Sequence, residues 1–229
     1  MKVVILAGGL GTRISEYTKK IPKPMVKINH LPILIHLMKH YYKYGFDDFI
    51  IALGYKGNII RNYFKKNKFP WKITLVDTGI KTMTGGRIKR LSKYLKKGTF
   101  MLTYGDGLSN VNLKKLLNFH NKHKRMVTLT AVRPPARFGG LKIKGNFVSY
   151  FKEKSKLDEG WINGGFFVME SSFLKFIKSD ETFLEHEPLE KVTRTKNLLA
   201  FKHQGFWQCM DTVRDKEKLE YIIRSNEHI

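Results

Sequence analysis

The sequence predicts an α/β protein, with a largely parallel sheet covered by helices on both faces. Three observations carry the prediction. Short runs rich in Val, Ile and Leu alternate with segments whose apolar residues recur at helical spacing. The first run, Val3 to Ala7, empties into a glycine-rich turn, Gly8-Gly9-Leu10-Gly11. At 229 residues the chain can bury one sizeable core.

The elements follow in order. Lys2 to Ala7 reads as the first strand. Pro32 to Tyr44 reads as a helix, with Ile33, Leu34, Leu37, Met38 and Tyr41 on one face. Pro32 suits a first helical turn and Gly45 its end. Asp48 to Leu53 is a second strand, Asn58 to Phe64 a short helix and Lys72 to Asp77 a third strand. A helix from about Gly86 to Leu95 buries Ile88, Leu91 and Leu95. Phe100 to Tyr104 is a fourth strand, ending at Gly105-Asp106-Gly107. Val111 to about His123 is helical, with His120 on its apolar side as a packed histidine. Val127 to Arg133 is a fifth strand. Gly140 to Ile143, Phe147 to Phe151 and Gly165 to Met169 are further strands, and Gly145-Asn146 makes a hairpin turn between the first two. A last helix starts near Arg214. No repeat or linker interrupts the series, so 1–229 is one domain. Its first part, about 1–110, carries the glycine turn, and the rest runs 111–229.

The motifs lie where such sheets bind ligands, beyond the carboxyl ends of the strands. The glycine turn, Asp77 and Asp106 all follow strands. Glycines let backbone N–H groups approach an anion, and cations hold it. Arg13 closes the turn, and Lys23 returns to it between Pro22 and Pro24. This pattern suits a triphosphate. It is not a Rossmann dinucleotide turn, because the third glycine position holds Ile14 and the next strand ends in Gly54-Tyr55 without an acid. Nor is it a P-loop, because Gly11 is followed by Thr12-Arg13.

Composition sets outer bounds. One cysteine, Cys209, rules out an intrachain disulfide and fits a reducing compartment. The N-terminal apolar run is too short for a signal peptide, and no stretch approaches membrane-spanning length. The expectation is a soluble cytoplasmic protein without a membrane partner. The net charge is +24, but the lysines are spread along the chain and no RNA-binding motif accompanies them. We expect no specific nucleic-acid partner; the charge steers polyanionic substrates. The histidines lack zinc-site spacing.

Gly8-Gly9-x-Gly11-Thr12-Arg13, then Thr18 and Pro22-Lys23-Pro24, resemble the signature of the sugar-phosphate nucleotidylyltransferases. Later segments are similar to the glucose-1-phosphate cytidylyltransferase group within that family. They are Val76-Asp77-Thr78-Gly79, Met83-Thr84-Gly85-Gly86-Arg87, Tyr104-Gly105-Asp106-Gly107, Arg137-Phe138-Gly139, Asn163-Gly164-Gly165-Phe166-Phe167, Gly205-Phe206-Trp207-Gln208 and Met210-Asp211-Thr212. The resemblance covers nearly the whole chain in order. It implies a Rossmann-like three-layer α/β/α nucleotidyltransferase fold with a predominantly parallel mixed sheet. It implies CTP and α-D-glucose 1-phosphate as substrates, Mg²⁺ as cofactor, and a homo-oligomer. The connection between Phe64 and Lys72 is shorter than the group's usual one.

The resemblance also assigns roles. Arg13, Lys23 and Asp106 are the expected catalytic residues. Leu6, Gly8, Gly9, Gly11, Thr12, Arg13, Lys23, Thr84, Gly85, Gly86, Arg87 and Gly105 are the expected nucleotide contacts, with Arg13 on the β- and γ-phosphates and Lys23 near the α-phosphate. Lys154, Asn163 and Gly164 are expected on the sugar phosphate, although Ser155 stands where the family commonly has proline after that lysine. Asp106 and Asp211 are the expected metal ligands. Alternatives are another sugar 1-phosphate, UTP or dTTP, or a non-catalytic nucleotide-sugar sensor or basic RNA-binding protein on the same scaffold. A sensor would be expected to have lost one of Arg13, Lys23, Asp106 and Asp211; all four are present.

Overall fold

A computed structural model of the chain describes residues 1–96, 98–134, 140–152 and 160–225. β1 (Lys2–Ala7) leads through tight turns and the short helix α1 (Ser15–Thr18) to a two-residue ribbon, β2 (Lys27–Ile28) and β3 (Leu31–Pro32). Then come α2 (Ile33–Lys43), β4 (Asp48–Leu53), α3 (Gly57–Lys66), β5 (Lys72–Asp77) and α4 (Thr84–Arg90). β6 (Thr99–Tyr104), β7 (Gly107–Ser109), α5 (Leu113–His123) and β8 (Val127–Val132) follow. β9 (Gly140–Lys144) and β10 (Phe147–Lys152) form a separate antiparallel hairpin. The chain closes with β11 (Ile162–Glu170), α6 (Glu187–Arg194), β12 (Leu198–His203), β13 (Trp207–Cys209) and α7 (Val213–Arg224).

Seven strands make the central sheet, in the order β12-β8-β11-β6-β1-β4-β5. All neighbours run parallel except β11, which is antiparallel to both β6 and β8. The reason for this arrangement is legible in β1. Its residues Val3 to Ala7 are all buried, because a parallel strand covered on both faces needs apolar residues at every position. Val3, Ile5 and Ala7 join one core with Phe49, Ile51 and the α2 residues Leu34, Leu37 and Tyr41. Val4 and Leu6 join the other with Ile50, Leu102, Ile88 of α4 and Val192 of α6. The predicted three-layer architecture is therefore present, with the first strand near its middle.

Several boundaries differ from the sequence expectation. Pro32 is extended, pairs with Lys27 and precedes the helix instead of opening it. The helix expected over Gly86 to Leu95 starts at Thr84 and ends at Arg90, followed by one tighter turn at Ser92–Tyr94. The chain tightens there while Leu91 and Leu95 both stay buried. The strand expected over Gly165 to Met169 begins earlier, so Asn163-Gly164 lies inside β11, where the pairing with β8 slips between Asn163 and Phe167. Gly165 makes the slip possible. Its φ is +77°, and a Cβ there would lie 2.5 Å from the Tyr104 ring. α6 and β12 had no sequence signal strong enough to assign. β12 is an edge strand with only partial burial, and its exposed positions Ala200 and Lys202 dilute the alternation. The Gly145-Asn146 hairpin turn is present.

α7 begins with a reciprocal cap. The Thr212 hydroxyl accepts from the Asp215 amide, and Asp215 accepts from the Thr212 amide. Replacing Thr212 by Ala removes this cap and should lower stability by about 1 kcal/mol, read as a shift of the urea midpoint at unchanged m value.

Candidate active site

The carboxyl ends of β1 and β6 open onto a cleft of about 580 Å³. Register explains why they share it. Leu6 stands beside Tyr104 in the parallel pair, and the Gly105 amide donates to the Leu6 carbonyl at 3.0 Å. The chain beyond β1 and the chain beyond β6 therefore leave the sheet side by side. Leu6, Gly8, Gly9, Gly11, Thr12 and Gly105 all line the cleft. Thr18 donates its hydroxyl proton to the Gly11 carbonyl at 2.9 Å and fixes the far side of the glycine loop. Gly9, Thr12 and Arg13 are exposed at its rim.

The floor of the cleft is an ion cluster. A two-stranded ribbon creates it. Antiparallel pairing of β7 with β13 sets Gly107 opposite Cys209, so Asp106, just before β7, comes beside the chain just after β13. The Met210 amide donates to the Asp106 carbonyl at 2.9 Å, and Asp211 follows. Both carboxylates converge on the Lys23 ammonium, Asp106 Oδ2 at 2.7 Å and Asp211 Oδ1 at 2.8 Å. Arg13 Nη1 donates to Asp211 Oδ2 at 2.6 Å from the exposed side. Lys23 is held in the turn Lys23–Met25, where the Met25 amide donates to the Pro22 carbonyl and the Val26 amide to the Lys23 carbonyl, and only 8% of it is exposed. Burial opposes its charge, but Asp106 and then Asp211 more than offset it and raise the ammonium above the ordinary lysine range. Burial likewise opposes ionisation of Asp211, and Lys23 followed by Arg13 holds it below the usual carboxylate range. Cys209 borders the cluster. Burial, then Asp211 and Asp106, push its thiol up to about 12, so it stays protonated and is no nucleophile.

Arg87 is buried and also borders the cleft, and its guanidinium is committed to the protein. Nη1 donates to the Leu53 and Gly79 carbonyls and the Thr78 hydroxyl at 3.2, 2.7 and 2.8 Å, and Nη2 to the Gly8 and Ile80 carbonyls at 2.9 and 3.3 Å. It ties the loops after β1, β4 and β5 into one rim. A Cβ on Gly8 would lie 2.2 Å from Nη1, so only glycine lets this bracket close. Burial lowers the Arg87 pKa, partly offset by Asp77. Asp77 itself accepts from the Gly79 amide at 2.8 Å and is not among the cleft residues.

The opposite wall holds Tyr104, Asn163, Trp207 and Thr84, with Met83, Phe183 and Glu185. Asn163 Nδ2 donates to the Tyr104 hydroxyl at 3.4 Å, and Trp207 Nε1 donates to the Gly164 carbonyl at 2.7 Å. Of the expected glycines, Gly164 backs onto Val132, while Gly85 and Gly86 back onto the 180–184 segment. The cleft thus gathers Arg13, Lys23, Asp106, Asp211, Thr84, Arg87 and Asn163, and those three glycines sit behind it. Lys154 and the Arg137-Phe138-Gly139 segment lie outside the described residues. Glu185 was absent from the sequence reading. It sits among Glu181, His186 and Glu187, and nothing in that run separates it from a solvated charged segment.

A glycine loop at a strand end, a buried lysine, an exposed arginine and two converging aspartates define a phosphate-handling transferase cleft, and the chain belongs to the nucleotidyl transferase family, whose model matches residues 2–215. Within that family it is similar to the glucose-1-phosphate cytidylyltransferase of Salmonella typhimurium, at 48% identity over 96% of this chain and 95% of that protein. A probable glucose-1-phosphate cytidylyltransferase of Bacillus subtilis is 40% identical over 94% of this chain and 93% of its own length. The crystal structure of HddC from Yersinia pseudotuberculosis superposes with a TM-score of 0.78 at 28% identity, over 97% of this chain and 99% of that one. Among the described residues no helix is long and apolar enough to cross a membrane.

Arg87→Lys keeps the charge but cannot serve five acceptors on three loops. It should lower stability by about 2–3 kcal/mol, because buried carbonyls lose their donor. The check is chemical denaturation of the purified variant, and an unchanged midpoint would contradict the bracket.

Proposed function

We propose that the protein transfers the cytidylyl group of CTP to α-D-glucose 1-phosphate, giving CDP-glucose and diphosphate, with a divalent metal ion, Mg²⁺, as cofactor. The observation that carries this reading is the buried Lys23 ammonium between Asp106 and Asp211 beside the glycine loop. The 48% identity to a glucose-1-phosphate cytidylyltransferase supports the choice of base and sugar.

A phosphate oxygen of the sugar phosphate attacks the α-phosphorus of CTP. The new P–O bond forms opposite the diphosphate, which leaves with the electrons of the old one. Both reactants are anions, so the barrier is largely repulsion and alignment. The amides of Gly8 to Thr12 and the Arg13 guanidinium hold the β- and γ-phosphates. Lys23 meets the charge that develops at the α-phosphate. In the cleft as it stands, Asp106 and then Asp211 outweigh burial and favour its charged form. Lys154 and Asn163 take the sugar phosphate, with Gly164 behind Asn163 holding Trp207. No covalent nucleophile is needed.

The donor set fits the metal. Two hard carboxylates reach a common point, which suits an ion that keeps waters and phosphate oxygens for its remaining positions. Among the described residues no group of three potential ligands forms a closed protein cage. Asp106 and Asp211 would hold the ion, which when bound neutralises phosphate charge. Lys23 and Arg13 already partner these carboxylates, so an ion held there would take the place of cations that the aspartates already have. The homo-oligomer, the cytoplasmic location and a role in deoxysugar or surface-polysaccharide synthesis complete the proposal.

The test is diphosphate release across four nucleoside triphosphates and several sugar 1-phosphates. The fastest pair should be CTP with glucose 1-phosphate, and EDTA should abolish turnover. Asp106→Asn, which removes charge but little volume, should lower kcat by roughly 10²-fold or more with the fold intact. A near wild-type rate for that variant would refute its metal role. Raising salt from 50 to 500 mM should also raise the KM for CTP, because the +24 net charge steers polyanions over a screened distance.

A further inference from the structure

Glu185 is a carboxylate in a cleft built to gather anions. Among the described residues no lysine or arginine pairs with it. What holds it instead is a pair of hydroxyl donors, one at the end of β6 and one at the start of α4. Tyr104 donates to Oε1 at 2.5 Å and Thr84 donates to Oε2 at 2.7 Å. The direction of both bonds is fixed. Thr84 Oγ1 accepts from the Leu184 amide at 2.9 Å, so its own proton goes to Glu185. Burial, then Glu185 itself, keep the Tyr104 phenol above its ordinary range, so it remains a donor, while its oxygen accepts from Asn163. Both carboxylate oxygens are therefore anchored, and the group cannot rotate freely.

An ionised carboxylate offers about four lone-pair sites and no proton. Tyr104 and Thr84 use one on each oxygen. Among the described residues no other donor reaches either oxygen, so one site on each remains, and Glu185 lines the cleft. Two adjacent acceptors, rigidly spaced, match two adjacent O–H donors. Phosphate would be repelled. Cytosine offers a single amino donor flanked by an acceptor, which a carboxylate pairs with poorly. A vicinal diol on a sugar ring satisfies both acceptors at once. We propose that Glu185 is a specificity-determining residue that holds a vicinal diol of a substrate sugar ring, with Thr84 and Tyr104 as its positioning residues. The chain through Tyr104 to Asn163 places it beside the residue expected on the sugar phosphate, so the hexose is the nearer source; the ribose of the nucleotide offers the same chemistry. The inference rests on the nucleotide-sugar reading of the cleft, and not on its chemistry.

The experiment measures binding, so it does not depend on turnover. Affinities of wild type and Glu185→Gln are compared by calorimetry for CDP-glucose, for CDP-3-deoxyglucose, whose missing hydroxyl belongs to both vicinal diols of the hexose, and for CDP-glucose carrying 2′-deoxyribose. Wild type should favour CDP-glucose over the analogue that lacks the recognised hydroxyl by about 10- to 100-fold. In Glu185→Gln that preference should shrink to within about threefold, with the other preference unchanged. Loss of the 3-deoxyglucose preference assigns the hexose, and loss of the 2′-deoxyribose preference assigns the ribose. Glu187→Gln, which removes a neighbouring carboxylate bound to Lys178 and Lys191 outside the cleft, should keep both preferences. Equal weakening for all three ligands, or no change for any, would overturn the proposal, because a structural role predicts no discrimination. If wild type binds none of the three, the nucleotide-sugar reading fails first; retained binding with intact preferences in Glu185→Gln sinks only the role of Glu185.

Discussion

One contact organises this protein: a buried ammonium, Lys23, shared by Asp106 and Asp211. Isolated in the protein interior, each of these charges would cost several kcal/mol in lost hydration. With Arg13 on Asp211 from the exposed side, two cations and two carboxylates form a site whose charges balance. Every neighbouring feature serves to make that meeting possible. The prolines on either side of Lys23 fix its backbone. The β7–β13 ribbon brings the two aspartates together from 105 residues apart in the chain. The cap that opens α7 uses Asp215, which also accepts from the Asp211 amide at 3.2 Å, so the helix start and the carboxylate are set by one residue.

The sheet supplies the frame. β1 has a neighbour on each side and a buried core on each face, so its carboxyl end is held from every direction. The glycine loop that leaves it is held by Arg87 from behind and by Thr18 from the side. This rigidity has a chemical use. Amides aimed at a phosphate stabilise charge best when they need not reorganise. Arg87 thus contributes at a distance, through carbonyls on three loops, and its guanidinium is not spare charge waiting for a ligand.

Much of this was legible in the sequence. Val3 to Ala7 announces a buried parallel strand because every position is apolar. Gly8 to Arg13 and Pro22-Lys23-Pro24 announce an anion site because glycine, cation and proline each have one physical reason to be there. Asp106 between two glycines after an apolar strand is readable for the same reason. Other parts were not readable. Asn163-Gly164-Gly165 has the composition of a turn, yet cross-strand packing of Tyr104 keeps it within β11. Arg87 could be placed at the cleft but not on the Gly8 carbonyl, since that contact spans 79 residues. Glu185 carries no local signal at all; only the fold sets it between Thr84 and Tyr104. Local chemistry survives in sequence, whereas contacts made by tertiary closure do not.

The most direct measurement is a crystal structure with a non-hydrolysable CTP analogue and Mn²⁺, located by its anomalous signal. The account predicts one manganese on Asp106 and Asp211, with the Lys23 ammonium moved onto an α-phosphate oxygen. Manganese bound elsewhere, with both aspartates still paired to Lys23 and turned from the nucleotide, would contradict it.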